Sequence, residues 1–229
     1  VLISHMEHHA NIVPWQQLVK RTGIKLKYLP LTGSGEIDLS KSSELITAKT
    51  KIVSITHMSN VLGTINPIKE IAKLTKMVGA VFIVDGAQSV SHMPVNVQDL
   101  ECDFLAFSGH KMLGPTGVGV LWGKFELLND LDPFLSGGEM IEKVTLEEST
   151  WNEVPYKFEA GTPNYVQAIG LGAAVTFLSK IGMENIHKYE KELTKHGIQT
   201  IKTHQDCVLS SRHLFQIVVN QRNKFMELL

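Results

Sequence analysis

The chain has 229 residues, of which 43% are hydrophobic and 20% charged, and its 22 basic and 23 acidic residues leave a formal net charge of −1. This composition is ordinary for a globular protein and provides no basic surface for a nucleic-acid backbone. The longest apolar runs are well short of the roughly 20 residues that span a bilayer, and no secretory signal pattern leads the chain. Two cysteines cannot build a disulfide framework and favour a reducing compartment.

Strand-like apolar segments alternate with helical patterns along most of the chain. Strands are predicted over residues 1–4, 25–31, 51–59, 80–86, 103–109 and 117–123, and helices over 11–23 and from Pro67 to about Gly79. Residues 125–160 lack a clear period. Thr162 and Pro163 then predict the N-cap and first residue of a helix, and 183–197 predict another. This alternation indicates an α/β fold with a mostly parallel sheet covered by helices.

Two charged residues follow predicted strands. Asp85 closes the apolar run of AVFIVDG, and Lys111 lies in SGHK directly after DFLAF. In open α/β sheets ligands bind beyond the carboxyl ends of the strands. A pyridoxal phosphate (PLP) enzyme needs a lysine that bonds to the cofactor aldehyde and an acid that keeps the pyridine nitrogen protonated. The pair therefore predicts a PLP site with Lys111 as the Schiff-base lysine.

Other polar residues lie near the same strand ends. Gln88 and Asn60 could each hydrogen-bond the cofactor ring hydroxyl, although such residues alone are more often found in turns. Ser108 and His110 offer donors for the cofactor phosphate. His8, in MEHHAN, could stack flat on the pyridine ring.

Two other kinds of site are not expected. The MEHHAN histidines suggest a metal, but zinc requires three or four protein ligands, and no CxxC or HExxH accompanies them. The glycines of GPTGVG form no Walker motif because no Lys-Ser/Thr pair follows. We expect them instead to let a strand pack close to the Lys111 loop.

Five segments, MEHHANIVPW, THMSNVLGT, VDGAQ, SGHK and FEAGTPN, occur in one order along about residues 1–195. Together they resemble the cysteine desulfurases of the class V aminotransferase group, in particular the SufS-type (group II cysteine desulfurase/selenocysteine lyase) branch. The resemblance implies a PLP-dependent transferase type I fold with a mostly parallel, seven-stranded-type sheet. It implies a PLP-binding large domain at 1–180, and the start of a small domain or a diverged tail at 181–229.

The resemblance also implies a role for each candidate residue. His8 and Lys111 are expected to be catalytic, as the ring-stacking histidine and the Schiff-base lysine. The cofactor would be held by His8, Asn60, Asp85, Gln88, Ser108, His110 and Lys111, and Thr162 would reach the phosphate of the partner subunit in a homodimer.

The implied reaction converts L-cysteine to L-alanine with Lys111 as general base. The sulfur passes to a catalytic cysteine as a persulfide, and then to a SufE-like acceptor for iron–sulfur cluster assembly, in the cytoplasm or a plastid. The family's catalytic cysteine lies in an R-S-G-x-H-C motif that this chain lacks. The family's substrate-binding arginine and its phosphate-binding threonine turn are also absent from this sequence. Cys207 does not have that context, and Cys102 is expected to be a packed core thiol. Residues after about 200 match nothing expected of the family.

Two alternatives remain open. Another enzyme of the same fold, such as a selenocysteine lyase, an aminotransferase or a kynureninase-like hydrolase, would share these pocket residues. A non-catalytic fragment that acts only as a binding piece would explain the missing cysteine motif. The start at Val1, in the middle of a predicted strand, suggests a fragment or a processed product.

Overall fold

The computed structural model describes residues 1–203, in which six strands form one sheet in the order β2-β1-β3-β4-β5-β6. The strands are β1 (Leu2–Ser4), β2 (Lys27–Leu29), β3 (Ile52–Thr56), β4 (Val81–Asp85), β5 (Phe104–Ser108) and β6 (Gly119–Gly123). Neighbouring strands are parallel, except that β6 runs antiparallel to β5. The predicted α/β fold with a mostly parallel sheet is confirmed. The described residues supply six strands to this sheet, where the resemblance implied a seven-stranded type.

Eight α-helices occur within the described residues. They are α1 (Val13–Thr22), α2 (Ser42–Leu45), α3 (Ile68–Met77), α4 (Ser89–His92), α5 (Val97–Leu100), α6 (Phe125–Asp130), α7 (Tyr165–Ile181) and α8 (Met183–Thr203). Gly23 ends α1 at φ 72°, a left-handed conformation that glycine adopts without strain. In residues 1–203 no single helix has both the length and the apolar character to cross a membrane. The helices α7 and α8 meet these two requirements only when taken together, as a pair bent by 73°.

The segment predicted to be irregular, 125–160, contains regular structure. It holds α6 and an antiparallel hairpin of β7 (Ile141–Val144) and β8 (Ser149–Trp151). Nearly all side chains of the hairpin are exposed. Because neither face packs on the core, the hairpin lacks the alternation of apolar and polar residues by which a half-buried strand is recognised.

The prediction that Thr162 caps α7 is wrong. The N-cap is Asn164, and the helix begins at Tyr165, so Pro163 lies outside it. The Asn164 side chain donates to the carbonyl of Gly117. This hydrogen bond holds the FEAGTPN segment in a non-helical conformation against the loop before β6. The helix therefore begins at Tyr165, two residues after the predicted first position, Pro163.

The hydrophobic core lies mainly on one face of the sheet. Leu2, Val53 and Phe82 are register partners on β1, β3 and β4, and each is at most 2% exposed. Ile71 of α3 and Leu100 of α5 pack in the same core cluster. Burying a side chain of this size contributes about 1.5–3 kcal/mol. The strands β1 and β3 are buried on both faces, whereas the side chains on the other face of β4 are only half-buried.

The opposite face of the sheet carries polar side chains near its carboxyl edge. Successive side chains of a strand point to opposite faces, so Ser54 and Thr56 lie on the face away from Val53. Thr56 and Asp85 are register partners across β3 and β4. The sheet therefore has an apolar face that packs under α3 and α5. On the opposite face, near the carboxyl edge, Ser54, Thr56 and Asp85 form a polar patch that we call the polar corner.

Candidate active site

The candidate residues cluster at one edge of the sheet. The parallel strands β1, β3, β4 and β5 all end there, and β6, which is antiparallel, begins there. His8 follows β1, Asn60 follows β3, Asp85 and Gln88 lie at and after the end of β4, and Ser108, His110 and Lys111 lie at and after the end of β5. The fold thus brings seven of the eight predicted residues to the edge where such sheets bind ligands.

Asp85 and Gln88 are placed by the turn that follows β4. Asp85 is half-buried, and its Oδ1 accepts a hydrogen bond from the backbone N–H of Ala87 at 2.9 Å. Gln88 is only 6% exposed, and its Oε1 is buried without a hydrogen-bond partner among the described residues. A buried acceptor of this kind requires a functional or structural explanation. A donor from a bound molecule would satisfy it.

Lys111 lies in the short 3₁₀ turn Gly109–Met112 directly after β5. The Lys111 side chain is half-buried and that of His110 is exposed. The turn packs against the loop that precedes β6. A Cβ on Gly119 would lie 2.9 Å from the carbonyl oxygen of Phe107, and one on Gly114 would lie 2.8 Å from that of Gly109. Two of the three GPTGVG glycines are therefore closely packed, Gly114 against the Lys111 turn and Gly119 against β5, whereas a Cβ on Gly117 would meet only Asn164 Nδ2 at 3.9 Å.

His8 and Asn60 flank these residues from the neighbouring strands. The exposed His8 ring accepts a hydrogen bond at Nδ1 from the backbone N–H of Ala10 at 3.1 Å. This contact occupies Nδ1, and the ring lies 5.9 Å from that of His9, tilted by 36°. Asn60 is half-buried in a turn that Ser59 stabilises, since Ser59 Oγ accepts from the N–H groups of Val61 and Leu62.

Thr162 lies outside this group of strand ends, exposed in the segment before α7. The bond between Asn164 and Gly117 holds the segment near the start of β6, and hence near the same edge. The exposed position suits a residue that reaches outward, while a contact with a second subunit stays a prediction.

A buried acid that the sequence analysis did not single out, Glu7, lies at the polar corner. Its Oε2 accepts from Asn11 Nδ2 at 2.7 Å and from the backbone N–H of Thr56 at 2.8 Å. Ser4 Oγ is hydrogen-bonded to its other oxygen. The pKa of Glu7 is raised to about 7, mainly by burial and in smaller part by the charge of Asp85, although the hydrogen bonds from Ser4, Asn11 and Thr56 act to lower it. In the sequence, Glu7 could have been recognised as an acid next to His8, shortly after the apolar strand β1.

His57 is a second buried titratable group outside the predicted set. It is 4% exposed, and burial lowers its pKa to about 4. Its Nδ1 is buried without a partner among residues 1–203. His57 lines a cleft of about 450 Å³ together with Ile68 and Leu100, on the α3 and α5 side of the sheet. It therefore lies at the same edge as Asp85 but on the opposite face.

Neither a metal cluster nor a reactive thiol is found in the part of the chain that the structure describes. No three His, Cys, Asp or Glu residues there are placed to hold a metal ion. Cys102 is 1% exposed within the core, as expected, and burial raises the pKa of its thiol to about 11. Cys207 lies outside the described residues.

The groups at the sheet edge fit PLP. Asp85 offers a carboxylate at a strand end, and the unpartnered Gln88 oxygen offers an acceptor beside it. Lys111 supplies an amine on the next strand end, with the hydroxyl of Ser108 and the imidazole of His110 on either side. These are the donor and acceptor types that a phosphorylated pyridine aldehyde requires.

Fold and site thus indicate an α/β protein of the PLP-dependent type, and the sequence model described as aminotransferase class-V matches residues 1–223. The chain belongs to this family. That match extends to residue 223, whereas two of the relatives align over 201 residues, so the expectation that residues after about 200 match nothing of the family stays a prediction.

Within the family, known cysteine desulfurases are similar to this chain. A probable cysteine desulfurase from Streptomyces coelicolor is 53% identical over 201 residues, which cover 88% of this chain and 48% of that protein. The crystal structure of the cysteine desulfurase CsdA from Escherichia coli matches with a TM-score of 0.85 at 40% identity, covering 88% of this chain and 50% of CsdA. The structure of a C-DES variant with glycine covalently linked to its PLP cofactor matches with a TM-score of 0.78 at 27% identity, covering 88% and 55% of the two chains. The chain thus spans about half the length of the curated relatives it matches.

Proposed function

We propose that this chain is the cofactor-binding part of a PLP-dependent cysteine desulfurase of the SufS type. The observation that carries the proposal is the placement of Asp85 and the Lys111 turn at the ends of adjacent strands β4 and β5. The similarity to proteins named cysteine desulfurase supports the substrate, L-cysteine, and the product, L-alanine. PLP, when bound, supplies an electron sink conjugated with the substrate α-carbon.

The chain's residues would divide the work as follows. Lys111 anchors the cofactor and, as general base, takes the proton from the substrate α-carbon. Asp85 keeps the ring nitrogen protonated by charge pairing, and Gln88 accepts the hydrogen bond of the ring hydroxyl, for which Asn60 is the second candidate. His8 lies against the ring, and Ser108 and His110 donate to the phosphate.

Sulfur transfer requires a cysteine thiolate. In the overall change the bond between the substrate β-carbon and its sulfur breaks. The sulfur joins the enzyme thiol as a persulfide, and the β-carbon gains a proton to give alanine. Cys102 does not supply this thiolate, because it is buried and its pKa is raised to about 11. We propose that the persulfide passes to a SufE-like acceptor for iron–sulfur cluster assembly, in the cytoplasm or a plastid.

A homodimer belongs to the same proposal. Several large apolar side chains of α7 are exposed in the single chain: Tyr165 (62%), Val166 (63%), Ile169 (71%) and Phe177 (55%). An exposed apolar face of this kind favours burial against another surface. Thr162 directly precedes it and would act across the interface. Light scattering of the chain with and without PLP tests this, and a monomer under both conditions would contradict it.

Borohydride trapping tests the cofactor site. The purified chain is incubated with PLP, reduced, digested and mapped by mass spectrometry. We expect one pyridoxyl group on Lys111 and none in the Lys111→Ala variant, with the exposed Lys76 as the internal control for nonspecific adducts. Adducts spread over surface lysines would contradict the proposal. Alanine formation from cysteine and from selenocysteine separates desulfurase from selenocysteine lyase activity in a protein that also carries the catalytic cysteine.

A further inference from the structure

The carboxyl group of Glu7 connects three segments beside the candidate cofactor site. One oxygen accepts a hydrogen bond from Ser4 Oγ at the end of β1. The other accepts hydrogen bonds from the Asn11 side chain and from the backbone N–H of Thr56 at the end of β3. Glu7 is 6% exposed. Three hydrogen bonds to one buried carboxyl group hold these segments together, because breaking any of them leaves a buried polar atom unpaired.

These hydrogen bonds act directly on the turn that carries His8. Glu7 precedes His8 in the chain, and the His8 carbonyl accepts from the backbone N–H of Asn11 at 2.8 Å. Asn11 extends the network, since its Oδ1 accepts from Ser54 Oγ at 2.6 Å and from Trp15 Nε1 at 3.0 Å. The segment on both sides of His8 is thereby fastened to β3, although the His8 ring itself is exposed.

Glu7 also shares its surroundings with Asp85. Thr56, which donates to Glu7, is the register partner of Asp85. The two carboxyl groups interact electrostatically, and the other groups that contact Glu7, on Ser4, Asn11 and Thr56, are uncharged. The His8 turn and the Asp85 strand end are thus held in one network.

We propose that Glu7 is a positioning residue of the cofactor site, whose carboxyl group holds the His8 turn against β3 so that the imidazole faces the cofactor ring. The part of the inference that concerns the cofactor rests on the proposed function. The part that concerns the His8 turn stands on the hydrogen bonds alone.

Two variants separate the hydrogen bonds of Glu7 from its volume. Glu7→Gln keeps an oxygen for Asn11 and Thr56 and gains an amide that can donate to Ser4 Oγ. Glu7→Leu has a similar volume and removes all three contacts. A positioning role therefore predicts that Glu7→Gln keeps the native conformation of the His8 turn and that Glu7→Leu does not.

The first readout needs no cofactor. In the chain without PLP, the indole N–H of Trp15 reports on the network, and the ring protons of His8 report on the turn. We expect Glu7→Leu to shift the His8 ring resonances and to speed exchange of the Trp15 indole proton about tenfold, equivalent to about 1.4 kcal/mol. Trp122, which packs against the core, is the internal control and should be unchanged. Unchanged His8 and Trp15 signals would overturn the proposal.

The second readout is the dissociation constant of PLP, measured by fluorescence titration. We expect Glu7→Leu to weaken binding about tenfold, or about 1.4 kcal/mol, and Glu7→Gln to weaken it by less than about threefold. Equal losses in both variants, with the His8 signals of Glu7→Gln intact, would assign the effect to charge and overturn positioning. Failure of the native chain to bind PLP would refute the proposed function, while the first readout would still decide the role of Glu7.

A third variant covers the case in which Glu7→Leu does not fold. Ser4→Ala removes one partner from the Glu7 carboxyl group and leaves the other two. It should shift the same His8 and Trp15 signals by a smaller amount. Ser4→Ala signals identical to those of the native chain would then count against the proposal.

Discussion

Gly109 and Val118 approach each other so closely that no side chain fits between them. The Gly109 N–H donates to the Val118 carbonyl at 2.9 Å. A Cβ on Gly109 would lie 2.9 Å from Val118 Cγ1 and 3.0 Å from the Val118 carbonyl oxygen. This contact sets where the turn with His110 and Lys111 begins relative to β6.

Gly109→Ala should therefore displace the Lys111 turn. Because one clashing atom belongs to the backbone, we expect a loss of about 1–3 kcal/mol in the free energy of unfolding. Urea denaturation measures this loss, and borohydride trapping should show reduced labelling of Lys111. The matched control is Gly172→Ala in α7, where a Cβ would meet no atom within 4 Å. It should be neutral or stabilise by up to about 1 kcal/mol. Equal stability of the two variants would contradict the packing argument.

Glu7 and His57 should make opposite contributions to stability as pH changes. The folded chain keeps the Glu7 proton up to about pH 7, whereas an unfolded chain releases it near the ordinary pKa of 4.5, so stability falls as pH rises through this interval. The unfolded chain protonates His57 near 6.5 and the folded chain only near 4, so stability falls as pH falls. Each contribution is about 3 kcal/mol, and in the native chain the two largely cancel.

Single variants should reveal these opposing slopes. Between pH 4.5 and 6.5, Glu7→Gln should become more stable as pH rises, because only the His57 contribution remains. His57→Gln should become less stable over the same interval. Urea unfolding at several pH values gives both slopes. Slopes of the same sign in the two variants would show that at least one group is not buried as described.

Gln88 should affect cofactor binding and stability in opposite directions. Its buried Oε1 has no partner among the described residues, and an unsatisfied buried polar atom costs about 1–3 kcal/mol. Gln88→Leu should therefore leave the stability of the cofactor-free chain unchanged or raise it, while weakening PLP binding and shifting the visible absorption of the bound cofactor. The exposed Gln98→Leu is the control and should alter neither. A large loss of stability in Gln88→Leu would indicate a structural role instead.

Cys102 should be unreactive in the folded chain. A pKa of about 11 in place of 9 lowers the thiolate fraction at neutral pH about a hundredfold, and burial blocks access of reagents. Brief treatment with iodoacetamide, followed by peptide mapping, should leave Cys102 unmodified in the native chain and alkylate it in urea. Cys207 falls in a separate stretch of sequence and can be followed in the same digest. Rapid native labelling of Cys102 would contradict its place in the core.

The parts of the fold that were predictable are those with a strong local pattern. The apolar runs around Val53, Val84 and Leu105 identified β3, β4 and β5, because strands in which no residue is exposed show few polar residues. The hairpin of β7 and β8 was missed because its side chains are exposed on both faces. The start of α7 was misplaced because a long-range bond from Asn164 to Gly117 overrides the local signal of Thr162 and Pro163.

By itself the sequence determined the alternation of strands and helices, and with it the polar residues that follow the strand ends. These properties follow from the order of apolar and polar residues along the chain. Tertiary structure alone decided that β1 lies beside β3, which brings Glu7 to Thr56 across 49 positions of sequence and next to the partner of Asp85. The physical reason is that strand order, and the loss of water around a buried carboxyl group, arise only when distant segments pack together.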